Sequence, residues 1–529
     1  MDVRKPFAQC IALSLSGILF LNPIVSVAAG LALDPAAGGN ATIGAAGNGV
    51  PIVNINAANG AGLSHNKFSE YNVGSNGLIL NNGTGSTQNT QLGGYIMGNP
   101  NLKGQAAQVI LNEVTGSNRS KLAGYTEVAG QSARVIVANP HGITCNGCGF
   151  INTPRATLTT GKPVIEGQKL DRFQVDGGDI SIEGAGLNAS NIDQFDLITR
   201  STKLNADLYA KKLNVITGRN DVKADDLSVT ARDADASAKP ELAIDSSALG
   251  GMYAGAIRLV GTEKGVGVNM SGEMAASTGD IQIDANGKVT VAGMGANQAI
   301  AIKAQSIELK GKAYAGTEAT LQAAEQIQVQ TSLAARDRVQ VVDAAQVVNH
   351  GIIEAGVNTD NSRNDHGEVK LTAGTLENRG NVLASRNLEL TARQALNNQN
   401  GVIQGPKVEV KTARLVNQGA QARVLAQHEL VLTTPAIANL GGLIRFGEQQ
   451  AATLTLDSLN NNGGRLEVAG ADLTLKAREV SNQKGSMIAD RVEISAGRLD
   501  NQQGLIGASQ GSATFKVSEQ LNNLSLIHI

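Results

Sequence analysis

Tryptophan is absent from these 529 residues, and aromatic side chains of every kind make up 3% of them. Charge is scarce too, at 17% of residues against a usual fraction of about 25%. A chain this long does not close around one core, because single cores stop growing at roughly 250 to 300 residues. Without large side chains it cannot fill several wide cores either. What remains is an elongated repeat with a thin core, each turn burying a short stack of Leu, Ile, Val and Ala, with the 62 Gly and many Asn at its corners. The formal charge of -2 leaves no basic footprint, which sets nucleic acid aside as a partner. Six His, scattered along the chain, make no metal cluster. No strand-turn-helix glycine pattern for a nucleotide is present, so neither a cofactor nor a metal is expected.

Long hydrophobic runs are missing with one exception. Ile11 to Leu21 is apolar apart from Ser and Gly, follows Arg4 and Lys5, and leads to the small residues Val27-Ala28-Ala29. It is shorter than the roughly 20 residues needed to span a bilayer. Residues 1–29 therefore read as a cleaved secretory signal peptide, and the mature chain as exported. Cysteine is nearly absent. Cys10 leaves with the signal, and Cys145 and Cys148 enclose Asn146-Gly147. In an oxidising compartment such a pair normally closes as a disulfide across a tight turn. Free thiols, a redox centre and a metal site sharing His141 are the alternatives. The surrounding Gly, Asn and Thr lack the strand-helix setting of redox motifs, and zinc would need a fourth ligand that is not near in sequence.

What is abundant is a short strand-like triplet. Val135-Ile136-Val137, Ile180-Ser181-Ile182, Ile281-Gln282-Ile283, Val289-Thr290-Val291, Ile307-Glu308-Leu309 and Ile327-Gln328-Val329 each place two apolar side chains on one face and one outward. From residue 345 the pattern becomes an explicit repeat. An Asn followed closely by Gly recurs at Asn349, Asn378, Asn398, Asn417, Asn439, Asn461, Asn482 and Asn501, at intervals of 29, 20, 19, 22, 22, 21 and 19. A period near 20 is one solenoid turn. The longest interval is explained by a polar stretch from Asn358 to Asp365, which should leave the solenoid as a loop. The fixed Leu spacing and helical arc of leucine-rich repeats are missing. The expected fold is all-β, a right-handed parallel β-helix of three arms per turn, with Asn side chains able to form ladders along its axis. Some 25 turns rising about 4.8 Å each would give a rod on the order of 120 Å.

Two turns stand out. Asn99-Pro100-Asn101-Leu102 and Asn139-Pro140-His141-Gly142-Ile143 combine a Pro that fixes φ with Asn and Gly that accept turn geometry. The run from Asn139 to Thr160 resembles the asparagine-proline motif and Cys-x-x-Cys variant of the two-partner secretion exoproteins, the filamentous haemagglutinin family. Ala248 to Val268, "ALGGMYAGAIRLVGTEKGVGV", is similar to the end of the same region in contact-dependent growth inhibition exoproteins, and the later repeats look like haemagglutinin repeats. One departure is His141, where relatives often carry Asn. The turn survives the change; a hydrogen bond from that Asn would not.

The resemblance implies a β-helix whose amino-terminal end is closed by a secretion-domain cap. It implies crossing of the inner membrane by the general secretory machinery, then recognition in the periplasm by a dedicated outer-membrane β-barrel transporter. The end point is the cell exterior or surface, where a target-cell receptor would be met. Asn99, Pro100, Asn101, Leu102, Asn139, Pro140, Gly142 and Ile143 are the residues such recognition would use, unless they only shape the helix. The implied function is the stalk of a contact-dependent growth inhibition toxin, with a filamentous adhesin as the alternative. β-helices also host polysaccharide-degrading enzymes. The best local candidate is Asp365-His366-Gly367-Glu368, a charged stretch that ordinarily is a solvated loop, so no catalytic residue is assigned and this portion is not expected to be an enzyme. The expected organisation is signal peptide 1–29, secretion domain 30–300, β-helix extension 301–344 and haemagglutinin-type repeats 345–523. Leu524 to Ile529 break the pattern and read like a translated sequencing adaptor, so residues 524–529 are expected to be an artefact and the natural protein to continue.

Overall fold

The computed structural model describes residues 30–235 and 237–524. The expected signal peptide, residues 1–29, and most of the 524–529 segment lie outside them. The alternating triplets form strands, and the strands wind into a parallel β-helix of about 20 turns. Each turn has three faces. In one turn, Ser120–Leu122 lies on the first, Tyr125–Gly130 on the second and Arg134–Ala138 on the third; the next turn places Ile143–Cys145, Cys148–Ile151 and Arg155–Thr159 directly on them, in parallel register. We call these the asparagine face, the short face and the broad face.

At about 4.8 Å per turn the rod is roughly 95 Å long, shorter than the expected 120 Å. The difference is chain that does not wind. Leu31–Leu33 runs antiparallel to Leu63–Tyr71, and Thr42–Ala45 runs antiparallel to Pro51–Asn54, closing the amino-terminal end. Lys162–Glu166, Lys169–Val175, Asn220–Lys223 and Val229–Ala231 form a separate antiparallel sheet, the side sheet. The polar stretch near Asn358 leaves the solenoid as expected, pinched by a bridge between Val357 and Arg363.

The core is one continuous stack. Phe68, Tyr71, Phe150 and Phe195 fill the amino-terminal turns; the later ones are filled mainly by Ala, Val, Leu, Ile and Met. Inward pairs such as Ile281 with Ile283 and Ile307 with Leu309 match the alternation expected of them. Val135-Ile136-Val137 departs from it. Ile136 faces outward on the broad face yet is fully buried, because Phe173, Val175, Val222 and Leu227 of the side-sheet region pack over it.

Between the side sheet and the broad face lies a charge that nothing in the alternation signals. Asp196 is fully buried and accepts hydrogen bonds from Arg155 Nε at 2.6 Å, Thr157 Oγ1 at 3.1 Å, Gln194 Nε2 at 2.8 Å and Asn214 Nδ2 at 2.9 Å. Arg134 sits 4.0 Å away and donates to the Ala224 carbonyl, while Arg155 donates to the Asp225 carbonyl. Burial, with Arg155 beside it, lowers the Arg134 guanidinium to about 10, Asp196 opposing the shift. The cluster clamps the side sheet to the rod.

Candidate functional site: the asparagine-proline turns and the cysteine corner

The first turn begins at Asn99, whose Oδ1 accepts from the Asn101 N–H at 2.9 Å, a side-chain cap for the short 3-10 helix Pro100–Leu102. Its Nδ2 reaches back to the carbonyls of Ile55 at 3.0 Å and Asn81 at 2.8 Å. Asn101 extends the tie, donating to the carbonyls of Asn40 at 2.8 Å and Ile55 at 3.2 Å. Leu102 is buried and Pro100 exposed. The turn therefore staples the amino-terminal cap to the first turns of the helix.

The second turn repeats the device. Asn139 Oδ1 accepts from the His141 N–H at 2.9 Å, and its Nδ2 donates to the Asn118 carbonyl and the Ser120 hydroxyl, both at 2.9 Å. Gly142 has φ +104, and a Cβ there would lie 2.5 Å from the Arg119 guanidinium and 2.9 Å from the Asp179 carbonyl, so no other residue fits without displacement. Ile143 is buried, Pro140 partly so, and the His141 ring is exposed. The Asn side chains are wholly engaged with the protein's own backbone and the Ser120 hydroxyl. No hydrogen bond links the two turns among the described residues.

Cys145 and Cys148 are joined by a disulfide at the corner between the asparagine and short faces, with Cα atoms 5.4 Å apart and both side chains buried. Asn146 N–H donates to the Leu122 carbonyl of the turn below and Gly147 N–H to the Gly186 carbonyl of the turn above. The same column continues through Ile182, Leu204, Ser246, Met270, Val291, Leu309 and Val329 to Asn349. There the asparagine ladder begins. Asn349 Nδ2 donates to Asn378 Oδ1 at 2.8 Å, and each later Asn repeats the bond through Asn398, Asn417, Asn439, Asn461, Asn482 and Asn501 at 2.6 to 2.8 Å. All eight are buried.

Asp365 and His366 lie together, with His366 Nδ1 3.5 Å from the carboxylate, but Glu368 is held by other partners. Asp365 is fully exposed, His366 Nε2 lies 3.1 Å from Asp337, and Glu368 is held by Arg338 and Arg386, which lower its carboxyl to about 2. Sequence reasoning missed the Asp196 cluster. Its only signal is charge placed inside apolar strands, as in Arg134-Val-Ile-Val and Phe195-Asp-Leu-Ile.

The site is thus a capped parallel β-helix whose early turns are stapled by asparagine-proline turns. A family model described as the TPS secretion domain matches residues 29–291. Over 469 residues, 88% of its length, the chain is 42% identical to a 16S rRNA endonuclease CdiA of Enterobacter cloacae subsp. cloacae, and over 499 residues, 92% of its length, it is 37% identical to a toxin CdiA of Yersinia pestis. It spans 13% and 15% of those two relatives. Among solved structures, the filamentous hemagglutinin secretion domain is 31% identical, covering 62% of this chain and 95% of its own, with a TM-score of 0.44. The chain belongs to the two-partner secretion exoproteins, and it is similar to a portion of the CdiA proteins just named.

Proposed function

We propose that a dedicated outer-membrane β-barrel transporter recognises the secretion domain and exports the chain, which then stands on the cell surface as the stalk of a contact-dependent growth inhibition toxin. The observation that carries this reading is the 42% identity to such a toxin across 88% of the chain. The general secretory machinery, directed by residues 1–29, delivers the chain to the periplasm. Extended strands suit addition to a sheet edge of the transporter, and turn-by-turn folding outside opposes return. The stalk carries a toxic activity, of the nuclease class named for relatives, in a portion this chain does not match, and presents it to a receptor on a neighbouring cell. Asn99 and Asn139 serve export through the turns they hold, since their side chains are committed to groups of this chain.

Export is tested by expressing the chain with and without its cognate transporter and measuring protein in the medium and the periplasm. Secretion is expected only with the transporter, and Asn99→Ala and Asn139→Ala should each reduce it severalfold. Release that is independent of the transporter would overturn the export reading, and full secretion of both variants would remove the turns from it.

A further inference from the structure

Aromatic rings on the outside of this rod are rare, and two of them are stacked. Tyr209 and Tyr253 face outward from adjacent turns of the short face, paired in register, with ring centroids 5.3 Å apart and planes 18° from parallel. Neither lies in the core; Tyr209 is 42% exposed. Yet both are held firmly. The Tyr209 hydroxyl donates to Asp207 Oδ2 at 3.1 Å, and Asp207 Oδ1 accepts from the Gly251 N–H at 3.1 Å. The Tyr253 ring lies over Gly251, where a Cβ would come within 2.5 Å of it, so a glycine is required to seat a surface ring.

The surface beyond the pair is bare. Following Tyr253 along the axis, the outward positions are Ala275, then Gly295, then Tyr314, a separation of about 14 Å at 4.8 Å per turn. Gly293 lies beside Gly295 on the same strand. Neither has a positive φ, and a Cβ at either would meet open space or only a distant carbonyl. They contrast with Gly250, Gly255 and Gly272, where a Cβ would strike a backbone carbonyl of a neighbouring turn. A strand glycine without an internal reason weakens the strand and marks a place where something else comes close. Glu273 and Lys312, both exposed and opposite in charge, border the floor.

We propose that Tyr209 and Tyr253 form a stacking platform for a neutral saccharide, the ring of which packs its C–H face on tyrosine above the Ala275 and Gly295 floor. The rim favours this ligand. Acceptors on Glu273 and on the remaining lone pairs of Asp207, with donors on Lys312 and the Tyr253 hydroxyl, suit a polyhydroxylated molecule, whereas an apolar peptide would strand them and a charged ligand would meet both signs. Rings fixed before binding lose little freedom on contact.

The chain contains no Trp and six Tyr, so its intrinsic fluorescence reports on tyrosine. Titrating the purified chain with maltohexaose, cellohexaose and chitohexaose, in parallel with saturation-transfer NMR, should give binding for at least one. Tyr253→Ala and Tyr209→Ala should weaken it at least tenfold, Tyr253→Phe should retain most of it, and Gly295→Val, which fills the floor, should abolish it. Far-ultraviolet circular dichroism should be unchanged, since these residues lie outside the core. Absence of binding by all three sugars, or equal binding by the Ala variants, would overturn the proposal.

Discussion

The asparagine ladder shows how much one residue type settles. Each buried Nδ2 donates both to the Asn Oδ1 of the next turn and to a backbone carbonyl further along; for Asn417 these are Asn439 Oδ1 at 2.7 Å and the Leu443 carbonyl at 3.1 Å. The glycine that follows is demanded by the same ladder: a Cβ on Gly401 would lie 2.5 Å from Asn378 Nδ2 and 2.6 Å from Asn398 Oδ1. Asn417→Ala removes one of the acceptors of Asn398 Nδ2 and leaves Asn439 Oδ1 without its donor. Leaving a buried polar group unsatisfied costs about 1 to 3 kcal/mol. Denaturant unfolding of the variant should show a loss in that range, and an unchanged midpoint would mean that the ladder is replaceable by packing. Glu368 gives a pH signature instead. Its carboxyl is lowered from 4.5 to about 2 by Arg386 and Arg338. A depressed carboxylate stabilises the fold fully above its unfolded pKa, and that stability is lost as pH falls from about 4.5 towards 2. Melting temperatures of Glu368→Gln and the parent should therefore differ at pH 7 and converge near pH 2.

At the scale of elements, the strands and the ladder are legible in the sequence because both follow a strict period. Inward aliphatic pairs repeat every second residue and the Asn repeat every turn, so Ile281 with Ile283, or Asn439 with Asn461, can be placed from spacing alone. The side sheet is not legible. Phe173-Gln-Val175 alternates as a solenoid strand does, and only tertiary contact tells that it lies over Ile136 instead of inside the rod. The same blindness inflates a turn count taken from the sequence, since the cap and the side sheet look like winding chain. Of the candidate site, the turns at Asn99 and Asn139 are visible as turns; the carbonyls of Ile55, Asn81 and Asn118 that they reach depend on which turns become neighbours. The side sheet depends on its buried clamp. Asp196→Ala leaves Arg134 and Arg155 facing each other without a carboxylate, and breaking a buried pair in this way costs about 3 to 5 kcal/mol. Proteolysis should then cut first within residues 162–175 and 219–231. Cleavage that begins in the repeats would contradict the clamp.

For the whole molecule, the direction of its bonds matters more than their number. Backbone hydrogen bonds between turns and the Asn-to-Asn bonds both point along the rod. Tension applied between the two ends of the rod follows that line, so it acts on these bonds end-on and can peel the turns away singly instead of shearing many together. Each released turn of some 20 residues yields about 70 Å of extended chain. The rod is then extensible under load. The base behaves otherwise: the side sheet ties several turns together through Arg134, Arg155 and Asp196, and the asparagine-proline turns staple the cap. Force is absorbed by the repeats while the amino-terminal turns keep their shape.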